Sequence, residues 1–378
     1  MKIKVLIIEN EKEIAEQLKL EIEGELGRLS RISDISICVD FALAVEQLRS
    51  LRPHIVVLDI LKERLEAQPA AQPAWQFIRD EHFCPVIFYS ANPMPEGFPA
   101  GADPFACYHS KTNTNPDQVA KIVGTFIRHV DGLQKIRDEI ESQSAKTLQK
   151  VTRLIWNAEA DPAIREQALL RVTRRRLAAA LEYPLAGETH IKAWEQFIYP
   201  PIDPNLLTGD VLRRIGGQIN NPSDYRVILT PPCDLVVGAN RHPVNDVLVA
   251  QCVRVNDAEI LRKCKSLETR AADLPQRLGK KLKEDRLDGM LVLPALTGVW
   301  PVMVVDFKSL DLVPRSTIAP THEAIVATSA YERIASMDSP YRESLSWRFT
   351  QTAGRPGLPE IDEQSLATDV QVAAALQA

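Results

Sequence analysis

The sequence predicts an α/β chain in three parts. These are an open parallel sheet over about 1–130, a helical connector over 131–185 and a mostly β C-terminal domain with a helical insertion over 186–358, closed by a flexible tail, 359–378. Three observations predict this. In the first third, short apolar runs alternate with helix-length segments, and each run ends in polar residues. From Asn115 a 3–4 apolar spacing persists far beyond one ordinary helix. From about Pro184 the texture changes to prolines, glycines and short β-like runs.

The elements follow in order. Val5–Ile8 is a continuous apolar run ending in Glu9-Asn10-Glu11, followed by an amphipathic stretch with Ile14, Leu18, Leu20 and Ile22. His54–Leu58 ends in Asp59, Pro85–Tyr89 ends in Ser90, and Ala106–His109 stops just before Lys111. Strands this short and this apolar are buried on both faces, as in βαβ units, and open α/β sheets place their ligand at the strand C-termini. Asn115-Pro116-Asp117 starts a helix, whose apolar positions run from Val119 to Ile155. One extended, coiled-coil-like helix and two helices broken near Ser142-Gln143-Ser144 fit that pattern equally. A further helix, Pro162 to Glu182, carries Arg171, Arg174, Arg175 and Arg176, read as a solvated face with carboxylate neighbours. Tyr225–Thr230, Val247–Val255, Met290–Pro294 and Pro301–Phe307 read as strands. The charged stretch Asp257–Asp288 reads as a helical insertion, and Ala335–Phe349 as a helix.

Composition narrows the function. At 378 residues the chain is long for one domain; it is 45% hydrophobic and 25% charged, as globular proteins are. Its 45 basic and 50 acidic residues give a net charge of -5, so nothing general favours nucleic acid. Six scattered cysteines form no C-x-x-C pair and point neither to a disulfide framework nor to zinc. The chain opens directly on a strand and has no apolar run long enough to span a membrane, which fits a reduced, cytoplasmic protein.

The chemistry is legible in the strand ends. Moving a phosphoryl group onto a carboxylate needs a nucleophilic Asp, a divalent cation, a fixed positive charge and a small hydroxyl donor. Glu9 and Asn10, Asp59, Ser90 and Lys111 supply these in chain order. On Val5-Leu6-Ile7-Ile8-Glu9-Asn10-Glu11, Val56-Val57-Leu58-Asp59, Val86-Ile87-Phe88-Tyr89-Ser90-Ala91 and Tyr108-His109-Ser110-Lys111, the first third resembles the response-regulator receiver family. That family has a flavodoxin-like, CheY-like fold. The resemblance implies that Asp59 is the phosphoacceptor and that Glu9, Asn10 and Asp59 hold Mg2+. It also implies that Ser90 and Lys111 contact the phosphoryl group and that a sensor histidine kinase is the partner. Tyr108 stands where the family has a switching aromatic, and an ordinary packed aromatic fits that position as well. The family usually has two acids where this chain has Glu9 and Asn10, and a proline where it has Thr112. The loop Ile60–Arg64 lacks the usual proline and glycine, and Gln68–Pro73 reads as an insertion.

The C-terminal part says less. Leu207-Thr208-Gly209-Asp210-Val211-Leu212 and Tyr225–Leu235 faintly resemble small SH3-like barrels, including toxin barrels. Cys233, beside Asp234 and with Arg241 and His242 close in sequence, is a candidate nucleophile, although a buried cysteine beside a turn-capping Asp is the favoured reading. Asp306-x-Lys308 matches the last half of a nuclease motif, with Asp288 the only near acid upstream. Receivers fused to unfamiliar domains also resemble components of bacterial phage-defence systems, an analogy of architecture alone. The expected function is a signalling protein that relays or buffers a phosphoryl signal toward another receiver or an effector protein. A homodimer through the connector is expected. The alternatives are a nuclease- or toxin-like effector and a phosphate-independent adaptor.

Overall fold

The computed structural model describes residues 2–60, 70–94, 103–181, 191–202, 205–236, 242–256 and 289–354, with a few single positions between 276 and 371. It divides into two compact units, Met1–Gly187 and Glu188–Ala378. Loop residues 61–64, the start of the expected insertion at 68–69, nearly all of 257–288 and most of the tail lie outside the described residues.

Unit 1 runs β1 (Lys2–Ile8), α1 (Lys12–Arg28), β2 (Ile32–Cys38), α2 (Ala44–Leu51), β3 (Ile55–Leu58), α3 (Gln72–Asp80), β4 (Val86–Ser90) and β5 (Ala106–Ser110). All five strands are parallel, in the order β2-β1-β3-β4-β5. This is the order of flavodoxin-like and CheY-like sheets. Alternation along β1 builds two apolar layers. Ile3, Val5 and Ile7 meet Leu18 and Ile22 of α1, and Val119, Val123 and Phe126 of the following helix α4 (Pro116–Ala158). Leu6 and Ile8 join Leu48 of α2 and Trp75 and Ile78 of α3 on the opposite face. Leu20, expected on the apolar side of α1, is instead 68% exposed; at two residues from both Leu18 and Ile22 it falls on the far side of a 3.6-residue helix. The strand β2 escapes a search for continuous apolar runs, because at the sheet edge Ser33, Asp34 and Ser36 interrupt its isoleucines, with Ile32 exposed and 33–37 half-buried.

The helix α4 settles the question left open around Ser142: it is one uninterrupted helix of 43 residues. The Gln118 side chain accepts the Asn115 backbone N–H at 2.9 Å, and Pro116 occupies the first turn. Residues up to Val130 cover the sheet. Beyond it, Thr147, Val151 and Ile155 are buried and the helix packs against α5 (Pro162–Leu181). Asp161 caps α5 by accepting from the backbone N–H of Ala163 and Ile164 at 2.8 and 3.2 Å. Arg171, Arg174, Arg175 and Arg176 are exposed.

Unit 2 contains β6 (Phe197–Ile198), β7 (Asp210–Arg214), β8 (Tyr225–Ile228), the short α6 (Pro232–Leu235), β9 (Asp246–Val253), β10 (Met290–Leu293), β11 (Met303–Pro314), β12 (Ile318–Ala319), β13 (Tyr331–Met337) and α7 (Tyr341–Ala353). The strands form one sheet in the order β10-β11-β9-β8-β7-β13-β12, with β6 on β13, and every pair but β12 with β13 is antiparallel. The helix expected over Ala335–Phe349 begins only at Tyr341. Residues 332–337 are buried on both faces of a strand, and pairing with β7 and β6 overrides their helical propensity.

An ion pair sits inside this sheet. Arg333 is fully buried and donates to Asp210 Oδ2 at 3.3 Å, to the Asn205 carbonyl at 2.6 Å and to the Pro320 carbonyl at 2.9 Å. Asp210 also accepts the Ser336 hydroxyl at 2.6 Å and the Leu207 N–H at 2.7 Å. Removing one partner of a buried pair strands the other charge. Asp210→Ala should therefore lower the stability of unit 2 by about 3–5 kcal/mol, measured by urea denaturation. A loss below ~1 kcal/mol, typical of exposed pairs, would mean that the buried pair contributes little to holding unit 2 together.

Candidate functional site

The parallel sheet delivers four polar residues to one edge. Residues Glu9 and Asp59 directly follow β1 and β3, Ser90 ends β4, and Lys111 directly follows β5. Backbone bonds fix the level of each: Asp59 N–H donates to Ile8 O at 2.9 Å, and Lys111 N–H to Ser90 O at 3.0 Å. Glu9 is 1% exposed, Asp59 5% and Ser90 0%.

The centre of the site is the Lys111 ammonium. It lies 2.7 Å from Glu9 Oε2, 2.9 Å from Glu9 Oε1 and 3.2 Å from Asp59 Oδ2. The more exposed Glu11 reaches to 4.0 Å. The ammonium also stands 5.9 Å from the centre of the Tyr89 ring. Two buried carboxylates against one ammonium leave the pocket short of positive charge. Burial lifts the Glu9 carboxyl from 4.5 to about 7, with the Asp59 charge adding to the rise and the Lys111 hydrogen bond opposing it. Burial works against the Lys111 ammonium too, but the Glu9 hydrogen bond and the two carboxylate charges outweigh it and raise its pKa.

Around Asp59 the polar atoms are tied off. Asp59 Oδ1 accepts the Ile60 N–H at 2.8 Å. Ser90 Oγ donates to the Ile60 carbonyl at 3.3 Å, and the Asn92 side-chain amide donates to the same carbonyl at 2.8 Å. Tyr108 is half-buried, and its hydroxyl donates to the Asn92 carbonyl at 2.8 Å. Asn92 and the Ile60 carbonyl were not singled out in the sequence. The only signal available was position, Asn92 being two residues past Ser90 at the same strand end.

A cation fits this donor set. Hard divalent ions such as Mg2+ take carboxylate oxygens and keep several waters, so one or two carboxylates suffice. Glu9 and Asp59 converge on one ammonium and supply them. Asn10 is exposed at the rim. No cluster of three or more His, Cys, Asp or Glu side chains suited to a metal occurs among the described residues, so the rest of such a shell would be water and backbone.

The C-terminal candidates are not brought together. Cys233, expected to be buried, is exposed with Asp234 on the one-turn α6, because the Pro231-Pro232 turn carries them out to the surface. His242 is exposed and makes no hydrogen bond to Cys233, and Arg241 and Asp288 lie outside the described residues. Asp306 is occupied otherwise: its two oxygens accept the Lys308 N–H at 3.0 Å and the Ser309 hydroxyl at 2.8 Å, closing a bulge in β11. Lys308 is exposed, with its side chain lying beside Gly289.

No protein-family model matches the chain, and no curated protein is similar to it. Similar solved structures are receiver domains. The receiver domain of a Francisella response regulator is 22% identical, with a TM-score of 0.26, covering 33% of this chain and 97% of its own. A CheY-like receiver protein from Methanospirillum hungatei is 16% identical, with a TM-score of 0.27, covering 36% and 98%. The signal receiver domain of a modulated diguanylate cyclase from Desulfovibrio desulfuricans is 21% identical, with a TM-score of 0.26, covering 34% and 95%. At such identities and scores the functional reading rests on the site's own geometry. No helix among the described residues is long and apolar enough to cross a membrane.

The raised Glu9 carboxyl has a measurable consequence. A carboxyl whose folded value exceeds its unfolded value stabilises fully below the unfolded value, and that contribution is lost as pH rises through the folded one. Stability should fall between pH 4.5 and about 7, and Glu9→Gln should remove on the order of 2–3 kcal/mol of that fall. Urea denaturation at about pH 5 and about pH 7.5 reads the difference; an unchanged slope in the variant would assign the pH dependence elsewhere.

Proposed function

We propose that unit 1 is a receiver that accepts a phosphoryl group on Asp59 from a partner histidine kinase and relays or buffers that signal. The observation that carries the reading is the Lys111 ammonium, held within 3.2 Å of the Asp59 carboxylate at the C-terminal edge of the sheet. In the step, Asp59 Oδ2 attacks phosphorus and a P–O bond forms. The bond from phosphorus to the donor's nitrogen breaks, and that nitrogen keeps the electron pair. Lys111 stays protonated and pairs with the phosphoryl oxygens as it leaves Glu9, and Ser90 donates to another of them. Glu9 and Asp59, with Asn10 at the rim, would hold Mg2+, which supplies charge neutralisation of the phosphoryl oxygens.

Incubating the protein with a small acyl phosphate and Mg2+, and following intact mass, tests this. One phosphoryl adduct is expected, absent in Asp59→Ala and reduced at least tenfold in Lys111→Ala, the equivalent of about 1.4 kcal/mol. The adduct's lifetime separates a buffer, which sheds the group quickly, from a relay that holds it. No adduct in the wild type would favour the second reading, a phosphate-independent adaptor, which the exposed Asn10 in place of a second acid supports.

The connector favours a homodimer. Ile136, Ile140, Leu154 and Trp156 of α4 and Leu170 of α5 are 44–67% exposed, and helical surfaces of this kind are buried by other helices. A dimeric mass in light scattering is expected at micromolar protein, converted to monomer by Ile136→Glu with Ile140→Glu. A monomeric wild type would remove the dimer.

A further inference from the structure

Three hydrogen bonds meet on Asn92. Its side-chain amide donates to the Ile60 carbonyl at 2.8 Å, its backbone N–H donates to Ser90 Oγ at 3.1 Å, and its carbonyl accepts from Tyr108 at 2.8 Å. Ser90 Oγ donates to the same Ile60 carbonyl at 3.3 Å. Ser90 is fully buried, and a hydroxyl has a single proton to donate. In this arrangement the proton is aimed at Ile60. To meet a phosphoryl oxygen on Asp59 it must leave that carbonyl.

The rotation would orphan a buried acceptor if Ser90 were its only donor, and an orphaned buried acceptor is costly. Here the Asn92 amide remains on the Ile60 carbonyl at the shorter of the two distances. The Asn92 backbone N–H, meanwhile, offers its bond to a lone pair of Ser90 Oγ and leaves the hydroxyl proton free to turn. We infer that Asn92 is the positioning residue that frees the Ser90 hydroxyl for the phosphoryl group, by holding the Ile60 carbonyl in its place. Because Tyr108 is anchored on the same residue, the aromatic reports on this junction and not on Asp59 directly. The inference rests on the phosphoacceptor reading of Asp59 and adds to it a residue that does not touch the reacting atoms.

The full chain, labelled with a small acyl phosphate and Mg2+, provides the test, with adduct lifetime followed by intact mass in wild type, Asn92→Ala, Ser90→Ala and the double variant. Asn92→Ala should shorten the lifetime about tenfold, equal to about 1.4 kcal/mol. In the Ser90→Ala background the same change should have little effect, since residues that act through one another are not additive. Asn92→Gln, which keeps an amide donor, should recover part of the loss and guards against a variant that fails to fold. Labelling of Asn92→Ala with wild-type lifetime would overturn the inference alone, as would an equal loss in the Ser90→Ala background, which would make the residue merely structural. An unlabelled wild type would remove the phosphoacceptor reading, and this inference with it.

Discussion

One ammonium group holds the edge of unit 1 together. Lys111 is drawn into a pocket where Glu9 and Asp59 are almost wholly buried, and each of those carboxylates would be strongly disfavoured there without it. The sheet dictates the arrangement. Parallel pairing aligns the ends of β1, β3, β4 and β5 at one level, so residues far apart in sequence converge without any loop having to search for them. The apolar layers on both faces bury these strand ends and hold the sheet in place between the helices.

The same interaction explains why the pocket is poised. Two carboxylates share one positive charge, and burial lifts Glu9 to about 7. A divalent cation or a phosphoryl group with its own cation would each restore a balance that Lys111 alone does not provide. A chain with a second acid in place of Asn10 would carry this deficit further. With Asn10, the pocket holds less negative charge to be neutralised and less to attract a cation. The exposed Glu11, 4.0 Å from Lys111, lies close enough to add to the attraction without adding to the burial.

Legibility followed burial. The strands β1, β3 and β4 carry buried apolar runs that made them, and the polar residues that close them, readable in order, whereas β5 is half-buried at the far edge and was readable only as a short run ahead of Lys111. The edge strand β2 is half-covered and broken by Ser33, Asp34 and Ser36, which gives no continuous run. In unit 2 the segment 335–337 reads as helix by composition and becomes strand by pairing, a long-range effect that local pattern does not carry. The C-terminal candidates misled for a related reason. Asp306 and Lys308 have the spacing of a metal site, yet the carboxylate closes a bulge, and a bulge is visible only once β9 and β11 are paired.

Asn92 was invisible for another reason still. Its amide carries no charge and matches no spacing rule; what it does depends on the Ile60 carbonyl, a backbone atom common to every sequence. Charged groups at strand ends announce a site because burying them needs a cause. A neutral side chain that completes the hydrogen bonding of the backbone beside them announces nothing, although without that amide a Ser90 hydroxyl turning away would leave the Ile60 carbonyl unmatched. The residues that define such a site are thus written in charge, and those that let it move are written in the accounting of its backbone hydrogen bonds.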